Sequence, residues 1–113
     1  MLPNRVALSK NTTGKLRYLK QMTGVTPNII SRIAFMKAIN DGEKIASARV
    51  SDGEGQVLNR DVLFGNFAIV YDVIINQYMH EQKTDKPIQD VISGLIEIGV
   101  HKLGHVKNIQ DLI

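Results

Sequence analysis

The chain contains no cysteine, which excludes disulfides, thiolate zinc sites, cysteine-ligated iron–sulfur clusters and a cysteine nucleophile. For the same reason the protein cannot itself carry a persulfide or a thioester. No run of uncharged apolar residues reaches the roughly 20 needed to cross a bilayer. The opening MLPNRVALSKNTT also lacks the apolar core of a secretory leader, and the expectation is a cytoplasmic protein with no membrane association. The most informative absence is of acid. Residues 1–40 hold Arg5, Lys10, Lys15, Arg17, Lys20, Arg32 and Lys37 and not one Asp or Glu. That segment carries +7, the rest of the chain carries −4, and together they give the net +3. A solvated basic face is the plain reading of such a run. Forty residues without an acid point further, to an anionic partner, most simply nucleic acid. A membrane-surface helix would set its bases against exposed Trp, Phe and Leu, and this stretch has one Tyr and one Phe.

What is present is ordinary globular material. With 113 residues, 43% apolar and 22% charged, the chain can bury one core, and a single domain over 1–113 is expected. Arg5 to Ser9 alternates loosely after Pro3 and reads as a short extended arm. Thr12 or Thr13 can cap a first helix near 13–23, with Leu16, Leu19 and Met22 at helical spacing and Gly24 at its left-handed end. Thr26-Pro27 opens a second helix over 27–40. The stretch 41–55, rich in glycine and acid, reads as a surface loop or weak hairpin. Residues 60–82 give a third, longer helix capped by Asn59, and Pro87 opens a fourth that runs to about 104. The fold class expected is all-α in the main, a compact bundle of about four helices behind the arm. The third and fourth helices are too apolar for a small monomer to expose. Either both are central in the core, or a face of each lies in a subunit interface.

Candidate chemistry is sparse. His101 and His105 stand four apart, as two imidazoles on one helix face would, but no HExxH glutamate accompanies them and Gly104 lies between. Asp52-Gly53-Glu54-Gly55 lacks calcium-loop spacing and reads as an acidic turn. No glycine pattern forms a phosphate cradle, and no serine has an adjacent histidine or a GxSxG setting. No catalytic residue, metal site or cofactor is expected, and the protein reads as a non-enzyme. The basic constellation is richer. Lys10, Lys15, Arg17 and Lys20 on the first helix form a partly continuous cationic strip. Such a strip meets the phosphates of a duplex through charge and counterion release, without base-edge contacts. Arg5, Arg32 and Lys37 are the remaining candidates for DNA contact.

The segment RVALSKNTTGKLRYLKQMTGVTPNIISRIAFMKAI resembles a ribbon-helix-helix module, which implies an alternative role as a transcriptional regulator. More specifically, LPNRVALSK, TGVTPNIISRIAF, LNRDVLFG and GLIEIGVHKLG together resemble, over nearly the whole chain, the DndE family of bacterial DNA phosphorothioation systems. That resemblance implies a helical, homotetrameric protein that binds double-stranded DNA, nicked duplex in particular. Self-association through the two apolar C-terminal helices and the region of Gly24 is expected. It also implies larger partners similar to a cysteine desulfurase, a sulfurtransferase with an iron–sulfur cluster and an ATPase. A subunit without cysteine cannot move sulfur, so positioning DNA is the role left to it. A third possibility is an adaptor whose basic face meets only an acidic protein.

Overall fold

A computed structural model describes residues 2–48, 50 and 52–112. Strand β1 (Arg5–Ala7) runs into helix α1 (Lys10–Thr23), and α2 (Pro27–Asn40) follows after a three-residue turn. A 3-10 turn at Ile45–Ser47 and strand β2 (Val57–Asn59) come next. The chain continues through α3 (Arg60–Phe64), a 3-10 turn (Gly65–Phe67), α4 (Ala68–Gln82) and α5 (Ile88–Lys102). A last 3-10 turn covers Ile109–Leu112. The expected helical bundle with an extended arm is what forms.

Its boundaries follow from local chemistry. The side chain of Ser9, not Thr12 or Thr13, caps α1 by accepting from the Thr12 N–H, so the helix begins three residues earlier than the threonines suggested. At the other end Gly24 takes φ 75° and its N–H bonds the Lys20 carbonyl at 2.8 Å. That left-handed backbone explains the glycine, since L side chains avoid it. β1 and β2 pair antiparallel with Val6 opposite Leu58, both buried. The 41–55 stretch is therefore more than a surface loop: Ile45 is in the core and the chain beyond returns as a strand. The strand, helix, helix order of a ribbon-helix-helix module is present, but the ribbon partner of β1 comes from its own chain.

α5 is the centre of the molecule, with every residue from Val91 to Glu97 buried. α2 crosses it so closely that a Cβ on Gly99 would collide with the Ala34 carbonyl. Only glycine permits that approach. Phe35, Phe64 and Tyr71 form a second packing focus, with ring centroids 4.9–6.4 Å apart in the tilted and edge arrangements aromatic pairs favour.

The expected helix over 60–82 is broken. In a continuous helix the carbonyls of Val62 and Leu63 would accept from residues 66 and 67. Here Arg32 donates to both and Asn28 to the first, and the chain turns at Gly65. Residues Arg60–Gln82, taken as one run, are long and apolar enough to cross a bilayer by length and composition alone, which the sequence reading did not anticipate. The apolar excess has different fates in the last two helices. α5 is buried over most of its length by its own chain, whereas α4 leaves Ile69, Val70 and Val73 exposed beside Phe67. Finally, α5 ends at Lys102, which places His105 beyond the helix that was to carry both histidines. Among the described residues no group of three or more His, Asp or Glu could hold a metal ion.

Candidate nucleic-acid interface

The amphipathic pattern of α1 decides which cations face water. Thr12, Leu16 and Leu19 are buried, so at 100° per residue the opposite face carries Lys10, Gly14, Arg17 and Gln21. Lys10 and Arg17 stand about 10 Å apart along the axis at 1.5 Å per residue. Lys20 lies on one flank, exposed in the last turn, and Lys15 on the other, half-buried. Between Lys10 and Arg17 the helix is bare, since nothing lies within 4 Å of a Cβ placed on Gly14. Together α1 and α2 present no acidic residue.

The neighbouring 52–56 segment shapes this face. Asp52 Oδ1 accepts from the Lys10 N–H at 3.0 Å, and the Gly55 N–H donates to the Leu8 carbonyl at 2.8 Å. Glu54 reaches Lys10 at 3.2 Å, with both side chains about 70% exposed. A pair so exposed contributes on the order of 0–1 kcal/mol, and a phosphate can replace its carboxylate. The Glu54 contact was not visible in the sequence, where the acidic turn and Lys10 lie more than 40 residues apart.

The other candidates are placed differently. Arg5 is exposed on β1. Arg32 is half-buried with its guanidinium on the Val62 and Leu63 carbonyls, and Lys37 sits 3.4 Å from Asp41. Asp41 belongs to a cluster in which Lys102 bonds Asp41 at 3.0 Å and Glu43 at 2.7 Å. The Lys102 hydrogen bond holds the Asp41 carboxyl below the usual carboxylate range. The bond to Glu43, with that to Asp41, raises the Lys102 ammonium. Gly24 is exposed and has open space around it.

A sequence profile of the family described as DNA sulphur modification protein DndE matches residues 5–111. The chain belongs to the DndE family. Membership connects it with DNA phosphorothioation and bears out the resemblance drawn from its motifs. Among solved structures it is similar to DndE from Escherichia coli B7A, described as involved in DNA phosphorothioation modification. That likeness has a TM-score of 0.72 and 28% identity over 91% of this chain and 99% of that one. A double glycine-to-lysine variant of DndE is similar at TM-score 0.73 and 26% identity, with the same coverage. No curated protein matches significantly. The DndE fold thus accounts for the helical bundle and for the small β1–β2 ribbon.

Of the polar stripe of α5, Gln89, Asp90, Ser93 and Glu97, the first and last tie the basic β1–α1 end of the chain to the core. Gln89 accepts from the Ala7 N–H, and Glu97 Oε1 faces the hydroxyls of Ser9 and Thr12. The stripe was legible as a polar arc on an apolar helix. Its partners at the β1–α1 junction were not.

Proposed function

We propose that the protein is a DNA-binding accessory subunit of the phosphorothioation machinery, with no catalytic step of its own. It engages the duplex backbone through the outer face of α1, and Arg5 extends that contact. The observation that carries this reading is the exposure of Lys10, Arg17 and Lys20 on a helix pair without a single acid. Such a face binds by charge and counterion release and follows phosphates, not base sequence. With no cysteine to take sulfur, the subunit holds DNA for larger sulfur-transferring and ATPase-like partners in the cytoplasm. An interrupted backbone, as in nicked duplex, is its preferred substrate. The exposed Ile69, Val70 and Val73 of α4 support self-association, with a homotetramer as the assembled form. A ribbon-helix-helix regulator is disfavoured, because β1 takes its ribbon partner from the same chain.

A gel-shift series on intact, nicked and single-stranded DNA of arbitrary sequence tests the proposal. Binding that ignores sequence and is strongest on nicked duplex is expected. Strong preference for one palindromic site would favour the regulator, and no binding to any DNA would leave the adaptor role.

A further inference from the structure

Gly14 lies within α1 with helical backbone and is not among the glycines of positive φ. Nothing stands within 4 Å of a Cβ placed on it, so neither conformation nor packing calls for glycine there. Inside a helix glycine is less favourable than alanine. The use left for a missing side chain is the close approach of an outside group to the backbone. At this point a cleft of about 480 Å³ opens, with Lys10, Thr13 and Arg17 on the α1 side and Glu54, Gly55 and Gln56 opposite. Along the axis Lys10 is about 6 Å and Arg17 about 4.5 Å from Gly14 at 1.5 Å per residue, so both long side chains can converge above it. Arg17 is exposed and makes no ion pair among the described residues.

The opposite wall is fixed in its backbone. Asp52 Oδ1 accepts from the N–H groups of Lys10 and Glu54 at 3.0 and 2.9 Å, and the Gln56 N–H donates to Thr13 Oγ1 at 2.9 Å. A Cβ on Gly55 would collide with the Ser9 carbonyl and Thr13 Oγ1. The Glu54 side chain, by contrast, is 69% exposed where it reaches Lys10. We infer that this cleft seats one backbone phosphate of duplex DNA against Gly14, between Lys10 and Arg17, and that the Glu54 carboxylate holds the Lys10 side of the seat until the phosphate displaces it. A phosphodiester and a carboxylate each present two oxygens and a single negative charge, so one replaces the other on the same ammonium. The inference rests on the DNA-binding reading above and adds to it a contact point and a resident competitor that limits affinity.

Fluorescence anisotropy with a labelled duplex of arbitrary sequence, together with thermal melting of the free proteins, tests it. Gly14→Leu should melt at or above the parent's temperature and bind the duplex about tenfold more weakly, as loss of one charge-assisted contact would do. Glu54→Gln should bind about threefold more tightly, within the range an exposed ion pair spans. Glu81→Gln on α4 makes the same change in net charge outside the cleft and should bind as the parent does. Parent-like binding by Gly14→Leu overturns the seat. A lower melting temperature in that variant also overturns it, because the fold itself would then require the glycine. An equal gain in Glu54→Gln and Glu81→Gln, or a gain in neither, overturns the competition by Glu54. All of these results spare the DNA-binding reading, whereas failure of the parent to bind any duplex overturns both.

Discussion

If the exposed face of α4 is the proposed subunit contact, replacing Ile69 by serine should weaken self-association without unfolding the subunit. Ile69 is 84% exposed and Val73 67%, one turn apart on the outer face of α4. Complete burial of such a side chain contributes about 1.5–3 kcal/mol. Scaled by its exposure, burial of Ile69 in a contact is therefore about 1.3–2.5 kcal/mol per subunit on the same scale. A two-fold contact uses the residue twice, so Ile69→Ser removes about 2.5–5 kcal/mol, and subunit affinity falls about a hundredfold to several thousandfold. The subunit itself loses little, because exposed substitutions typically change stability by within about 0.5 kcal/mol. Sedimentation velocity over a micromolar dilution series reads the first effect, and thermal melting at a concentration where both proteins are monomeric reads the second. Val73→Ser should act in the same direction. If both variants sediment as the parent does, the exposed face of α4 is not the contact and the reasoning fails.

The core and its charges make further predictions. Gly99→Ala drives a Cβ into the Ala34 carbonyl, and such overpacking costs about 1–3 kcal/mol or more. A melting temperature lower by several degrees is expected, and an unchanged one would refute the close crossing of α2 and α5. Arg32→Ala strips Leu63 of its side-chain donor and leaves Val62 with that of Asn28 alone and should cost about 1–3 kcal/mol in urea unfolding, while the salt dependence of DNA binding stays the same; a flatter salt dependence would return Arg32 to the DNA interface. The Asp41–Lys102–Glu43 cluster sets a pH profile. The depressed Asp41 group contributes stability that is full above about pH 4 and lost as pH falls through its lowered value. The raised Lys102 group contributes below about pH 10 and loses its contribution as pH rises through its elevated value. Melting temperature measured against pH should therefore decline at both ends, less so in Lys102→Met, and superimposable profiles would contradict the assignment.

The elements carried by strong local signals were legible before the structure. α2 opens at Pro27 because proline suits a first helical turn, and α1 ends at Gly24 because that residue must be left-handed. Both rules act within a few residues. The break at Gly65 was hidden because its cause is Arg32, some 30 residues away, whose guanidinium takes carbonyls that a continuous helix needs. β2 was missed for a related reason: three residues, Val57 to Asn59, show no periodicity, and the strand exists only because β1 offers it an edge. Apolar content alone could not separate α4 from α5. Both are rich in Ile and Val, yet α5 is packed under α2 and, through Gln89 and Glu97, against the β1–α1 junction. At the candidate interface the acid-free run was legible in the sequence, while the burial of Arg32 and the pairing of Lys10 with Glu54 required tertiary contacts.

The central claim, that α1 binds DNA through phosphate contacts, is tested most directly by the salt dependence of duplex affinity in a variant with Lys10, Arg17 and Lys20 all changed to alanine. Each lost phosphate contact flattens the slope of log affinity against log salt by about 0.9. If all three contacts are made, the slope should flatten by about 2.7, by the same amount on every sequence, while circular dichroism matches the parent. A parent-like slope and affinity in a folded triple variant would contradict the account.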